Sequence, residues 1–255
     1  MRSFPSFPEK IRSPSVVTAR AALNARGTLN QFENIPVPKT AILCMHPEGT
    51  RYYFLKFGNQ RIKGFLGNFH ILHSSDHTNA VLWKFGLGSA SIAILTEELS
   101  ALGIRRVIIL GTAGSLQPGM NVGDIVLCDA AVRDEGVSHH YLSPEKFSYP
   151  SKNLLSEISD LFHFQNMEFT RGKCWSTDAP YRETAQEISY YQQEGVKVVD
   201  MESAALFAVG QVLNMETSSI LIVGDHLTPE GWSSPSNLRN LHKKIRSVLQ
   251  LLIRL

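Results

Sequence analysis

The run Val107-Ile108-Ile109-Leu110 is apolar at every position, with Arg106 before it and Gly111 after it. A strand without polar alternation is covered on both faces, and such strands belong to parallel sheets flanked by helices. Its neighbours repeat the theme. Thr40–Met45, Ala80–Phe85, Asp124–Asp129, Val196–Val199 and Ser218–Val223 read as strands, with weaker ones over Arg51–Phe57 and Gly67–Leu72. Ser89–Gly103 reads as a helix: Ile92, Leu95, Leu99 and Leu102 share one face, and Gly103 supplies the stop. Asn153–Phe162, Arg182–Gln193 and Ser203–Leu213 are further helices, and an amphipathic stripe over Ser236–Leu252 closes the chain. This alternation through residues 80–255 predicts an α/β domain on a largely parallel sheet. Ligands of such sheets bind beyond the carboxyl ends of the strands.

Composition narrows the function. The chain has 255 residues, 43% of them apolar, enough to bury a full core. Its net charge of +2 gives no field to hold nucleic acid through its phosphates. No apolar run reaches the roughly 18 residues a membrane helix needs, so no membrane partner is expected. Three isolated cysteines, Cys44, Cys128 and Cys174, form no CxxC pair and suit a reducing, cytoplasmic setting. Residues 1–35, with arginines and serines and few acids, resemble a transit peptide faintly and read more readily as a surface extension or a short helix over 15–25. The X-Pro steps of Asn34–Lys39 lead into a domain over 36–255.

Four strand ends carry candidate chemistry. In Phe85-Gly86-Leu87-Gly88-Ser89, two glycines follow a strand and a serine opens a helix, so Gly88 can bring backbone close to a ligand. Gly111-Thr112-Ala113-Gly114-Ser115 offers small and hydroxyl residues for a phosphate or sugar pocket. Asp200-Met201-Glu202 sets two acids at a strand-to-helix junction, where a carboxylate can accept bonds from a diol. Gly224-Asp225-His226 places an acid where it can exchange a proton. No histidine spacing suits a metal, and no metal or organic cofactor is expected. Each cluster taken alone also reads as an ordinary turn or helix cap.

Together they resemble the nucleoside phosphorylase and nucleosidase superfamily. The matching stretches are FGLGSASIAILTEELSALG (85–103), ILGTAGSLQPGMNVGDIVL (109–127), STDAPYR (176–182), VVDMESAAL (198–206) and VGDHL (223–227), in the family's order. The resemblance implies a three-layer α/β/α sandwich with a central mixed sheet, a homo-oligomer, and cleavage of a nucleoside N-glycosidic bond. It implies that Glu202 binds the ribose hydroxyls while Met201 packs on the sugar beside Asp200. Asp225 would protonate the leaving base, and Thr112, with Ala113 and Gly114, would contact the phosphate or nucleophile. Tyr181 would lie near the base, accompanied by Arg182.

The expected activity is a phosphorylase acting on a purine nucleoside, with phosphate as co-substrate. A purine is favoured because Asp225 needs an N7 to protonate. Two departures bear on the nucleophile. Ile109 stands where phosphorolytic relatives carry an arginine, and the early loop reads Cys44-Met45-His46-Pro47-Glu48-Gly49-Thr50-Arg51. Phosphate would then need Arg51, Arg133, Arg182 or a neighbouring subunit's arginine. The alternatives are a nucleosidase using water and a non-catalytic nucleoside-binding or storage protein of the same fold.

Overall fold

The computed structural model describes residues 4–46, 59–73, 78–235 and 238–255. These residues form one 11-stranded mixed sheet with helices on both faces. Its strands are β1 (Thr40–Cys44), β2 (Asn59–Ile62), β3 (Asn68–His73), β4 (Thr78–Trp83), β5 (Arg106–Ser115), β6 (Ile125–Asp134), β7 (Phe147–Ser148), β8 (Thr170–Thr177), β9 (Val196–Asp200), β10 (Glu216–Thr228) and β11 (Gly231–Ser233). The helices are α1 (Ala19–Ala25), α2 (Ser89–Leu102), α3 (Lys152–Phe164), α4 (Ala185–Gln193), α5 (Ser203–Val212) and α6 (Arg239–Leu252). The weaker strand expected over Arg51–Phe57 and the first residue of the last expected helix, Ser236, lie outside the described residues.

The parallel character is concentrated at the centre. β4, β1, β5 and β10 run parallel in adjacent positions, as do β6, β8 and β9. Antiparallel pairs join these blocks and form the outer hairpins. Because β10 pairs with both β6 and β5, and β9 returns to β5, strands β5, β10, β6, β8 and β9 close into a ring. Closure removes free edges from that part of the sheet.

Alternate residues of β1 point into different cores. Ala41 and Leu43 join the apolar layer built with α1, α2 and α5, where Leu23, Ile92, Leu95, Leu99 and Phe207 are fully buried. Ile42 and Cys44 join the opposite layer, with Ile158 and Phe162 of α3 and Ile245, Val248 and Leu252 of α6. That is the three-layer arrangement. α2 ends as its sequence indicates, with Gly103 in the left-handed region at φ 108°. Leu23 of α1 sits in the same buried cluster as the sheet residues, and Leu29, Phe32 and Ile35 pack against it.

Several stretches differ from the sequence expectation, the Asp124–Asp129 strand, which runs on to Asp134, among them. The Gly111–Ser115 cluster is not a turn after the strand but the second half of β5, paired with β10 and β9. β10 likewise continues past Val223 to Thr228 through an irregularity at Gly224. The helix expected from Arg182 starts at Ala185, because Thr184 and Glu187 form a reciprocal capping box; Pro180–Arg182 is a separate 3-10 turn. Strand β8 carries no apolar alternation to announce it in the sequence.

Candidate active site

The extended β5 and β10 set the floor of a cavity of about 860 Å³. At its lining the structure brings together Thr112, Ala113, Gly114, Tyr181, Asp200, Met201, Glu202 and Asp225. Gly88 and Arg182, also expected at the site, do not line it. Gly88 has a different part: at φ 86° it turns the chain into α2 and donates its backbone N–H to Glu202 Oε1 at 2.6 Å. Arg182 is exposed on its 3-10 turn, whereas its neighbour Tyr181, 99% exposed, stands at the rim.

Glu202 is held from two sides. Oε1 takes the Gly88 amide, and Oε2 takes the Met201 amide at 3.1 Å. Burial, then the nearby Asp200 charge, push its carboxyl up to about 7, against the pull of those two amides. Each oxygen keeps a lone pair for a further donor, so the ionised group can accept from two adjacent hydroxyls. Asp200 is spent within the protein. Ser176 Oγ donates to Oδ1 at 2.6 Å, while the Ser203 amide (2.9 Å) and hydroxyl donate to Oδ2. It thereby fastens the start of α5 to β8 and positions Glu202 beside it.

Asp225 owes its place to the irregularity at Gly224, which sets it opposite Gly114 of β5. Burial raises its carboxyl above the ordinary value, while the Trp232 side-chain N–H and His226 draw it down. Trp232, on β11, is itself part of the cavity wall.

Glu183, Trp232 and His46 line the cavity as well. Glu183 is half-buried, and its carboxyl is pushed up to about 7 by burial, then by Asp225 and Glu187. It follows the STDAPYR stretch by one residue, the only sequence cue to it. Trp232 had no cue. His46 lies in the altered early loop, and its Nε2 is hydrogen-bonded to Thr112 Oγ1 at 3.1 Å.

Of the cations expected to compensate for Ile109, Arg133 and Arg182 do not line the cavity. Ile109 is fully buried in the core. Arg133 is also buried, its guanidinium donating to Ser138 Oγ (2.9 Å) and to the carbonyls of Ser143 (2.8 Å) and Leu142 (3.2 Å). Arg51 lies outside the described residues. Among the described residues, no lysine or arginine lines the cavity. They also contain no cluster of three or more metal-ligating side chains, and no helix long and apolar enough to cross a membrane.

A family model for the phosphorylase superfamily matches residues 41–255, a span that holds the β5 segment, Asp200-Met201-Glu202 and the acid on β10. The chain belongs to the phosphorylase superfamily. A guanosine phosphorylase of Halorubrum lacusprofundi is 29% identical over 182 residues, 71% of this chain and 76% of that protein. A uridine phosphorylase structure from Vibrio fischeri superposes with a TM-score of 0.75 at 25% identity, covering 88% of this chain and 91% of the other. An AMP nucleosidase structure from Bacteroides thetaiotaomicron shares the fold, with a TM-score of 0.69 at 24% identity and coverage of 93% and 98%. The relatives by sequence thus include nucleoside phosphorylases. The chain is a nucleoside phosphorylase superfamily protein, similar in sequence to guanosine and uridine phosphorylases.

Proposed function

We propose that this protein is a purine nucleoside phosphorylase, cleaving the N-glycosidic bond with phosphate to give free base and ribose 1-phosphate. The observation that carries the reading is that Glu202 and Asp225 share one cavity in different electrostatic settings. Ionised Glu202 would accept the two ribose hydroxyls and stabilise positive charge building on the sugar ring. Asp225, protonated more readily than an ordinary aspartate, would donate its proton to purine N7 as the C1′–N9 bond breaks. Such acid assistance is worth typically about 10²–10⁴ in rate. Met201 would pack on the ribose, and Tyr181 would lie over the base at the cavity mouth. Phosphate is the co-substrate in this reading, with no metal or organic cofactor, and the enzyme works as a homo-oligomer in the cytoplasm.

A second reading, hydrolysis by water, is favoured by one feature: the described cavity wall carries Glu183, Asp200, Glu202, Asp225 and Glu230, a setting that repels a dianion.

The test is release of base from a panel of purine and pyrimidine nucleosides, with and without phosphate. Phosphate-dependent release with ribose 1-phosphate as product is expected. Equal release without phosphate would overturn phosphorolysis in favour of hydrolysis. No release under either condition would leave a binding protein of the same fold.

A further inference from the structure

The mechanism so far gives the leaving base an acid and the sugar an anchor, but assigns no side chain beside Thr112 to the attacking oxygen. The topology supplies one. β1 pairs in parallel with β5, Cys44 opposite Leu110, and the Met45 amide carries the ladder one step on by donating to the Leu110 carbonyl at 3.0 Å. Two residues beyond that pair, in the same register, His46 faces Thr112, and the two side chains meet at 3.1 Å between Nε2 and Oγ1. The His242 ring of α6 stands behind His46, with centroids 6.2 Å apart.

The placement is directional. β10, β5 and β1 are neighbours in that order, so Asp225 on β10, opposite Gly114, and His46 just beyond β1 lie on the two sides of β5, which carries Thr112. Two inter-strand steps amount to roughly 10 Å. Displacement at an anomeric carbon needs its acid and its nucleophile on opposite sides of that carbon, and carboxyl pairs that admit a nucleophile between them are about 6.5–9.5 Å apart in enzymes of related chemistry. His46 therefore stands at the end of the cavity where the attacking oxygen belongs. It is also the one basic side chain among the described lining residues.

We infer that His46 and Thr112 together form the nucleophile subsite, gripping one oxygen of phosphate between imidazole Nε2 and the threonine hydroxyl. When that oxygen enters, the Nε2–Oγ1 hydrogen bond gives way, and a protonated Nε2 and the hydroxyl, 3.1 Å apart, both donate to it at ordinary distances. A second phosphate oxygen then attacks C1′, the C1′–N9 pair leaves with the base, and the base takes its proton from Asp225. The inference rests on the proposed function, because it assigns the nucleophile of that reaction.

The experiment is a phosphate and nucleoside titration of the wild type, His46→Leu and His46→Gln, with melting curves to verify folding. Gln keeps an amide N–H donor near the Nε2 position, and Leu keeps only bulk. His46→Leu is expected to raise the phosphate KM roughly ten- to hundredfold, the effect of losing a hydrogen bond to a charged group, with the nucleoside KM unchanged. His46→Gln should recover most of that loss. If wild-type release needs no phosphate, a fall in hydrolytic kcat in His46→Leu at unchanged nucleoside KM supports the same subsite with water in it. Two results overturn the inference while leaving the activity standing: folded His46 variants with wild-type kinetics, or variants that change the nucleoside KM alone. Should the wild type release no base at all, the activity itself falls and the inference with it.

Discussion

Gly114 and Asp225 stand opposite each other on β5 and β10, and the Asp225 carboxylate fills the space a Gly114 side chain would need. A Cβ on Gly114 would lie 2.7 Å from Asp225 Oδ1 and 2.3 Å from Leu227 Cδ1. Both contacts are too short to persist, so Gly114→Ala must push the acid off the cavity floor. Overpacking of this kind costs typically about 1–3 kcal/mol. The catalytic loss should be larger than stability alone explains, because small displacements of a positioned group can cost about 10²-fold. We expect a folded variant with kcat reduced about tenfold to hundredfold. Wild-type kcat in Gly114→Ala would show that Asp225 does not need this seat.

Asp225→Asn keeps the shape of the side chain and removes its proton. If the acid serves the leaving base, kcat on purine nucleosides should fall by about 10²–10⁴. A ribosyl substrate whose leaving group departs without protonation, such as a nitrophenol, should lose far less. Equal losses on both substrates would assign Asp225 to binding or structure and not to proton transfer.

How much of this was legible in the chain depends on what each residue answers to. The Val107–Leu110 run and the Gly103 stop answer to local rules, burial on both faces and a left-handed cap, and both are found as read. Strand β8 answers to the ring: Gly172 is small because Lys197 of β9 lies over it, with 2.4 Å between an added Cβ and Lys197 Cγ. No local pattern encodes that. The same division runs through the site. Glu202 is legible because a helix start announces itself, and Thr112 and Asp225 because they follow the apolar runs of β5 and β10. Gly111–Ser115 also reads as a turn because its glycines suit one, whereas Gly114 makes room for Asp225. His46 joins the site only through the parallel register of β1 and β5, which brings together residues 66 apart in sequence. Arg182 drew attention by its charge, yet charge does not say which side of a turn faces the cavity.

Leu23 makes the segment before the sheet part of the core. It is fully buried with Ile92, Leu95 and Leu99, and Arg26 in the same segment forms an ion pair with buried Glu98. Leu23→Ala should therefore cost about 2–5 kcal/mol, the usual range for a fully buried leucine. For a chain of this size that lowers Tm by very roughly 5–15 °C. A melting curve within a degree of wild type would mean that α1 is an ornament on the domain.

Glu202 couples stability and substrate binding to pH in opposite senses. Its folded carboxyl titrates at about 7, against an ordinary value of 4.5, chiefly because burial disfavours the charge. Between those values the folded state holds more protons than the unfolded state, so stability must decline as pH rises from below 4.5 through 7. The full contribution is about 3 kcal/mol. Glu202→Gln cannot ionise, and it should gain stability on the wild type by up to about that amount between pH 5 and pH 8. Ribose binding runs the other way, because only the ionised carboxylate accepts from both hydroxyls. The nucleoside KM should fall as pH rises through about 7, and the dependence should vanish in Glu202→Gln. Glu183 titrates in the same window, so Glu183→Gln is the control: it must keep the pH dependence of KM. If Glu183→Gln abolishes the dependence and Glu202→Gln retains it, the sugar is held from the other side of the cavity.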